Sequence, residues 1–231
     1  MALMTCAPGA ATRLTAFRLK SGMMARDNLT GFVLAGGKST RMGRDKAVIT
    51  LQGRTLLETS LATLRGVAPE VFILGAPHIY SAYGAAIPDI YPGCGPLGGI
   101  HAALSRTATR HNLILSVDTP FVSREFLAYL ADRAIDSSAM VTIPEVAGYL
   151  EPACAVYTRD FLAIAQAALQ RGDHKITPLF PKDRTLVIRE AELTRFAFSA
   201  EMFENLNTPE DLERARRSAP EKPHEQPDPT T

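Results

Sequence analysis

The sequence predicts an α/β protein of three layers, in which helices cover both faces of a mostly parallel sheet. Two observations lead to this prediction. Short apolar runs alternate with helical patterns along the chain, and some of these runs, such as residues 113–115, contain no polar residue. An uninterrupted apolar strand is typical of a sheet that is covered on both faces. Because such sheets bind ligands at the carboxyl ends of their strands, we expect the site in the loops that follow the strands.

The predicted elements follow a β-α-β-α order. Strands are predicted near residues 32–35, 71–75, 112–118, 140–144, 153–157 and 186–189. Helices are predicted near residues 55–65, 97–105, 123–135 and 160–170, and a last helix begins at Thr208. Thr208 can cap that helix, because Pro209 suits its first position and Glu210 and Asp211 favour the positive end of the helix dipole.

Composition indicates one globular domain. The chain has 231 residues, of which 46% are hydrophobic, and 25 basic against 24 acidic residues leave a net charge of +1. Such a balance argues against a general affinity for nucleic acid or membrane. Cys6, Cys94 and Cys154 form neither a disulfide framework nor a zinc motif, so a reducing cytoplasm is the expected location. No apolar run is long enough to span a bilayer, and no secretory signal is recognisable.

We expect a single domain over residues 30–217. Residues 1–29 are predicted to be a flexible extension, and Met23 and Met24 leave open whether residues 1–22 are translated. Residues 218–231 are predicted to be a disordered tail, because the segment is rich in proline and poor in apolar residues.

The segment from Leu34 to Lys46 is the most informative part of the chain. An apolar run leads directly into Gly36 and Gly37. Four cationic side chains then follow: Lys38, Arg41, Arg44 and Lys46. Glycines let backbone N–H groups approach phosphate oxygens, and the cations supply charge-assisted hydrogen bonds. The segment therefore predicts a polyphosphate site and nucleotide chemistry.

Other interpretations of this glycine loop are weaker. A P-loop would need a glycine at the position of Phe32. A dinucleotide-binding fingerprint does not fit the spacing of Gly36, Gly37 and Gly43. A surface loop with turn glycines and solvated charges remains the structural alternative.

The segment resembles the signature L-A-G-G-x-x-x-R-M-G-x-D-K of the molybdenum cofactor guanylyltransferases, which belong to the wider MobA-like nucleotidyltransferases. Further matching blocks follow in order at residues 95–100, 118–120 and 205–212. The resemblance covers about residues 30–217. It implies a Rossmann-like nucleotidyltransferase fold. It also implies transfer of GMP from GTP to the terminal phosphate of the molybdenum-pterin cofactor, with release of pyrophosphate.

The resemblance also implies which residues act. Arg41, Lys46 and Asp118 are the catalytic candidates, with Arg41 and Lys46 on the triphosphate and the leaving pyrophosphate. Lys38 stands at a variable position, and we interpret it as a surface charge. The residues expected to bind the nucleotide are Leu34, Ala35, Gly36, Gly37, Lys46, Asp89, Gly95 and Asp118. The loop that carries Gly95 is expected to close over the base or the ribose.

Asp118 is the expected ligand of Mg²⁺. It ends an apolar strand and is followed by Thr119 and Pro120, so its carboxylate should lie at the exposed edge of the sheet. Mg²⁺ prefers oxygen ligands and commonly rests on one or two carboxylates plus substrate phosphates. A turn aspartate before proline is the structural alternative. The corresponding aspartate of the family binds magnesium, which favours the metal role.

Asn205 and Asn207 flank Leu206 in a strand-like pattern, which would place both amides on one face. The resemblance makes Asn207 a candidate second metal ligand, and hydrogen bonding in a turn is the alternative. Glu151 resembles a position that faces the acceptor. The basic candidates for contact with an anionic acceptor are Arg171, His174 and Lys175, although solvated loop positions explain these side chains equally well.

Two alternatives keep the same chemistry: CTP with the same pterin, or a nucleoside triphosphate with a sugar phosphate. Residues 74–77 lack the Asn and Arg common in guanylyltransferases, and Gly98 replaces a usual Ala. A third alternative is a non-catalytic protein that delivers the cofactor, but the joint presence of Lys46 and Asp118 favours catalysis. Contact with molybdoenzymes or other cofactor-assembly proteins is a further expectation.

Overall fold

The computed structural model describes residues 23–36 and 45–218. The strands in this part of the chain are β1 Leu29–Leu34, β2 Thr50–Leu51, β3 Arg54–Thr55, β4 Glu70–Leu74, β5 Ala86–Ile87, β6 His111–Ser116, β7 Val141–Val146, β8 Tyr149–Leu150, β9 Cys154–Thr158 and β10 Thr185–Ile188.

The α-helices are α1 Leu56–Arg65, α2 Pro77–Tyr80, α3 Gly95–Arg106, α4 Arg124–Ile135, α5 Phe161–Gln170, α6 Glu190–Arg195 and α7 Pro209–Ser218. Short 3₁₀ helices lie at Met23–Asn28, Lys46–Val48, Thr177–Leu179, Lys182–Arg184 and Ala200–Phe203.

The main sheet is mostly parallel, as the sequence predicts. Its order is β10-β7-β9-β6-β1-β4-β5, with β8 beside β7. Strand β1 is parallel to β4 and β6, β5 is parallel to β4, and β10 is parallel to β7. Strand β9 runs antiparallel to both β6 and β7, so these two strands share a direction. The carboxyl ends of β1, β4, β5, β6, β7 and β10 therefore meet at one edge.

Two separate hydrophobic clusters show the three layers. One cluster packs α1 and α4 on one face of the sheet, with Leu57 and Phe126 fully buried. The other packs α3 and α5 on the opposite face, with Ile100 and Phe161 fully buried. Strand β1 contributes to both, since its side chains alternate between the faces. The predicted fold class is confirmed.

The predicted strands and helices are present, with boundaries shifted by a few residues. Residues 205–207 were predicted to be strand-like, and this is wrong: Leu206 donates one backbone hydrogen bond to Asp118, but the segment joins no strand pair. The short elements β2, β3, β5, β8, α2 and α6 were not predicted. The β2–β3 hairpin turns at Gln52 and Gly53, which both have positive φ, and glutamine gives no turn signal.

The folded part of the chain includes residues before the predicted boundary at residue 30. The guanidinium of Arg26 donates to both carboxylate oxygens of Asp132 in α4, at 2.8 and 2.9 Å. Residues 1–22 and 219–231 lie outside the described residues, so the predicted extension and tail remain predictions. Cys94 and Cys154 are free, and Cys6 is not among the described residues. None of the helices described has the length and apolar character needed to cross a membrane.

Candidate active site

Backbone hydrogen bonds bring four distant segments together at the carboxyl edge of the sheet. The N–H groups of Ala35 and Gly36, just after β1, donate to the carbonyl of Leu74 at the end of β4, at 3.1 and 3.0 Å. The N–H group of Val117, after β6, donates to the carbonyl of Leu34 at 3.2 Å. The segment before α7 joins them, because Leu206 N–H donates to the carbonyl of Asp118 at 2.8 Å.

These bonds restrict what the start of the glycine loop can do. The N–H groups of Ala35 and Gly36 both bond to Leu74 within the protein, and the side chain of Leu34 is buried in the core. In this arrangement neither Ala35 nor Gly36 has its N–H group free for a phosphate, and the side chain of Leu34 is turned into the core. Their predicted contact with the nucleotide therefore stays a prediction. The remaining predicted positions of the loop lie outside the described residues: Gly37, Lys38, Arg41 and Arg44.

A tyrosine that the sequence did not single out joins the two ends of the loop. The hydroxyl of Tyr80 donates to Oδ2 of Asp45 at 2.6 Å and lies 3.2 Å from the carbonyl oxygen of Ala35. The ring is buried, at 3% exposure. Burial, followed by the hydrogen bond to Asp45, raises the pKa of Tyr80 well above its ordinary value, so the hydroxyl stays protonated and available as a donor.

Gly75 makes room for this tyrosine. A β-carbon at this position would lie 2.6 Å from Cε2 of the Tyr80 ring, and the φ of Gly75 is +158°. Both facts favour glycine. Asp45 is also fixed from its other side, since its Oδ1 accepts from the N–H group of Ala47 at 3.0 Å at the start of the Lys46–Val48 turn. The side chain of Asp45, which precedes Lys46, is thus held in place from both sides.

Lys46 contacts Asn207, 161 positions later in the chain. The ammonium group of Lys46 donates to Oδ1 of Asn207 at 2.6 Å. Asn207 is itself positioned by the helix that follows, because its N–H group donates to Oδ2 of Asp211 at 3.0 Å. The amide oxygen of Asn207 has two lone pairs, so it retains one acceptor site beside the hydrogen bond from Lys46.

The cap of α7 is as the sequence predicts. Oγ1 of Thr208 accepts from the N–H group of Asp211 at 3.2 Å, and Oδ2 of Asp211 accepts from the N–H group of Thr208 at 2.9 Å. This reciprocal pair satisfies two backbone donors that the helix itself leaves without partners. The cap therefore stabilises the segment that carries Asn207.

Asp118 lies in the turn after β6, two residues beyond the end of the strand. Its Oδ1 atom is buried, and no hydrogen-bond partner for it is found among the described residues. Glu151 lies nearby. Burial, and then the negative charge of Asp118, raise the pKa of the Glu151 carboxyl. A buried, unsatisfied carboxylate oxygen beside a second carboxyl group is an environment that favours a cation.

The donor set fits Mg²⁺ in a complex with substrate. Within residues 23–36 and 45–218, no group of three or more His, Cys, Asp or Glu side chains is arranged to hold a metal. Mg²⁺ does not require such a group, because it keeps water and takes ligands from substrate phosphates. One buried carboxylate oxygen at the phosphate site is therefore sufficient.

Asp89 faces the start of α3. Ideal β-carbons built on Gly98 and Gly99 would lie 3.9 and 3.8 Å from its two carboxylate oxygens. Burial raises the pKa of Asp89. Gly95 begins α3 with a φ of +63° and is exposed, which leaves its backbone open to a ligand. The two predicted nucleotide-binding residues thus lie at the same end of α3.

Gly98 allows the preceding loop to pack closely on α3. A β-carbon at Gly98 would lie 2.8 Å from the carbonyl oxygen of Tyr91, which is closer than real β-carbons approach backbone. The glycine that replaces the usual alanine therefore has a structural reason in this chain.

Comparison with known proteins identifies the family of the chain. The family model for the MobA-like NTP transferase domain matches residues 31–185. The chain belongs to the MobA-like NTP transferase family. The match includes Lys46, Asp89, Asp118 and Glu151, and it ends before Asn207.

Relatives of this MobA-like transferase are similar over most of their length. A probable molybdenum cofactor guanylyltransferase of Pelotomaculum thermopropionicum is 32% identical over 189 residues, which cover 81% of this chain and 91% of the relative. The molybdenum cofactor guanylyltransferase of Desulfosudis oleivorans is 33% identical over 192 residues, covering 82% and 95%. The crystal structure of molybdopterin-guanine dinucleotide biosynthesis protein A from Archaeoglobus fulgidus superposes with a TM-score of 0.72 at 28% identity, covering 81% and 97%.

Proposed function

We propose that this MobA-like transferase moves GMP from GTP to the terminal phosphate of a molybdopterin-type molybdenum cofactor in the cytoplasm, with release of pyrophosphate. The names of the relatives support this proposal. The observation that carries it is the convergence of Lys46, Asn207 and Asp118 at one edge of the sheet. A cation for the phosphates and a carboxylate for a metal ion are the groups that nucleotidyl transfer needs.

In this reaction an oxygen of the acceptor phosphate forms a bond to the α-phosphorus, and the bond from that phosphorus to the β-phosphate oxygen breaks. Lys46 and Arg41 bind the triphosphate and neutralise the charge that grows on the leaving pyrophosphate. Asp89 and the backbone at Gly95 hold the nucleoside. The chain contributes alignment and charge, so no covalent intermediate with a side chain is required.

Asp118 would hold Mg²⁺, with Asn207 as the predicted second ligand. When bound, the ion would supply Lewis-acid stabilisation of the phosphate charge. Glu151, whose carboxyl is close enough to Asp118 for their charges to interact, would face the acceptor. The nucleotide could also be CTP, or the acceptor a sugar phosphate, because the same residues serve each of these reactions.

The test is to incubate purified protein with Mg²⁺, each of the four nucleoside triphosphates and the phosphorylated pterin cofactor, following pyrophosphate and product mass. We expect pyrophosphate and a guanylylated product with GTP. Preference for CTP would overturn the choice of nucleotide. If the products were the same with and without a nucleoside triphosphate, the proposed transfer reaction itself would be overturned.

Asp118→Ala should lower kcat by roughly 100-fold or more, because metal-ion stabilisation contributes several kcal/mol. Asp183→Ala is the matched control, since Asp183 is exposed at the opposite edge of the sheet. Retained turnover in Asp118→Ala would remove this residue from the mechanism. Circular dichroism of both variants checks that the fold is intact.

A further inference from the structure

A cavity of about 440 Å³ lies at the same edge of the sheet as the candidate active site. Residues that line it include Glu145, Tyr149, Leu150, Thr177, Val187 and Arg189. Glu145 is near the carboxyl end of β7, and Arg189 directly follows β10. Since β7 and β10 run in the same direction as β6, the cavity opens toward the side of the sheet that carries Asp118.

The strand order places this cavity across Asp118 from the nucleotide side. Asp89 follows β5 at one end of the sheet, Asp118 follows β6 in the middle, and the cavity lies at β7 and β10 toward the other end. Strands lie about 4.8 Å apart, so β7, two positions from β6, is about 10 Å away. A molecule in the cavity could therefore extend a phosphate to Asp118 while GTP occupies the opposite side.

Glu151 connects the cavity to the reacting centre. It directly follows Leu150, whose side chain lines the cavity, and its N–H group donates to the carbonyl of Pro144 in β7 at 3.0 Å. The Glu151 carboxyl lies near enough to Asp118 for their charges to interact. One short segment, which contains Leu150 and Glu151, therefore lies beside the cavity and close to the candidate metal ligand.

The lining suits a flat heterocycle. Tyr149 is 76% exposed, which is high for a large apolar side chain, so its ring face is available for stacking. Leu150 and Val187 supply apolar surface. Arg189 and Glu145 form an ion pair at 3.1 Å, and together they offer both donors and acceptors to the edge of a ring.

We propose that this cavity binds the pterin ring system of the acceptor, with the ring stacked on Tyr149 and its polar edge at Glu145 and Arg189. The proposal rests on the proposed function for the identity of the acceptor. The paired charges of Glu145 and Arg189 suit a neutral ring, while the phosphate of the same molecule extends past Glu151 toward Asp118.

The test measures pterin binding separately from catalysis. The probe is neopterin monophosphate, a metal-free phosphorylated pterin, and its fluorescence can be followed cleanly because the chain contains no tryptophan. Tyr149→Ala should weaken binding by about tenfold, since stacking on an aromatic side chain is typically worth that much. Tyr149→Phe keeps a ring face and should bind like the wild type. Arg189→Ala should also weaken binding.

Arg184→Ala is the matched control for Arg189→Ala. Arg184 is likewise exposed and ion-paired, to Asp160 at 3.1 Å, but it precedes β10 at the opposite edge of the sheet. It should bind the pterin like the wild type, and the affinity for GTP should be unchanged in all four variants. Wild-type affinity in Tyr149→Ala, an equal loss in Arg184→Ala, or no binding by the wild type would each overturn the proposal.

Failure of the proposed function gives a different result. In that case the wild type forms no guanylylated product from GTP, whatever the effect of Tyr149→Ala on the affinity for the pterin. If product forms but Tyr149→Ala has the wild-type KM for the acceptor, the transfer reaction stands and the assignment of the cavity is wrong.

Discussion

At the scale of single residues, the site depends on side chains that fix other side chains. The hydroxyl of Tyr80 donates to Asp45 and lies close to the carbonyl oxygen of Ala35, so it contacts both flanks of the glycine loop. Asn207 in turn accepts from Lys46. Neither Tyr80 nor Asn207 needs to touch the nucleotide to matter, because each determines where the loop or its lysine lies. We therefore regard Tyr80 as a positioning residue.

Tyr80→Phe should raise the KM for GTP about tenfold and leave kcat nearly unchanged, because a lost hydrogen bond to a charged group costs roughly 1.5 kcal/mol. Tyr129→Phe is the control: Tyr129 is equally buried, and its hydroxyl donates to the carboxylate of Glu192 away from the site. Steady-state kinetics of the two variants show whether Tyr80 acts on GTP binding. The same KM change in both would mean that only general stability is affected.

At the scale of elements, the sequence predicted the long strands and helices because their apolar periodicity extends over whole turns or strands. It did not predict two-residue strands or the one-turn helix α2, since such elements are too short to show a period. The cap at Thr208 was predicted because capping is local. The contact between the Tyr91 loop and α3 was not, although Gly98 in the sequence marks the position where the two meet.

Gly98→Ala should lower the free energy of unfolding by about 1–3 kcal/mol, because the new methyl group overlaps a backbone carbonyl. It should also raise the KM for GTP, since Asp89 lies in the displaced loop. Gly66→Ala is the control: Gly66 has a φ of −77°, and its new methyl group would meet the flexible, exposed side chain of Arg124. Urea titration should show little change for Gly66→Ala, and similar losses for both variants would contradict this explanation.

At the scale of the whole molecule, the sheet order brings the candidate catalytic and metal-binding residues together. Lys46, Asp118 and Asn207 come from three distant parts of the chain and meet because β1 and β6 are neighbours and the segment before α7 returns to them. The N-terminal residues also belong to this assembly. Arg26 pairs with Asp132, which is 2% exposed, and Oδ1 of Asn28 accepts from the N–H group of Arg110 at 2.6 Å.

A chain shortened to begin at Leu29 should be less stable than one that begins at Met23, by about 2 kcal/mol or more, because the buried carboxylate of Asp132 loses Arg26. Asp132→Asn in the shorter chain should recover part of the loss, since an amide carries no charge. Urea unfolding of the three proteins measures this. Equal stability of the two chain lengths would show that the fold begins at β1, close to the boundary at residue 30 that the sequence predicted.

The sequence by itself determined the fold class, the main strands and helices and the family, and it predicted the blocks that carry the candidate site residues. These properties depend on periodicity and on residues close together in the chain, so they can be read without coordinates. Only the tertiary structure decided that Tyr80 donates a hydrogen bond to Asp45 and that Lys46 contacts Asn207. It also decided that Glu151 lies close to Asp118 and next to the cavity at β7 and β10. The physical reason is that these contacts depend on the order and direction of strands in the sheet, which nearby residues do not specify.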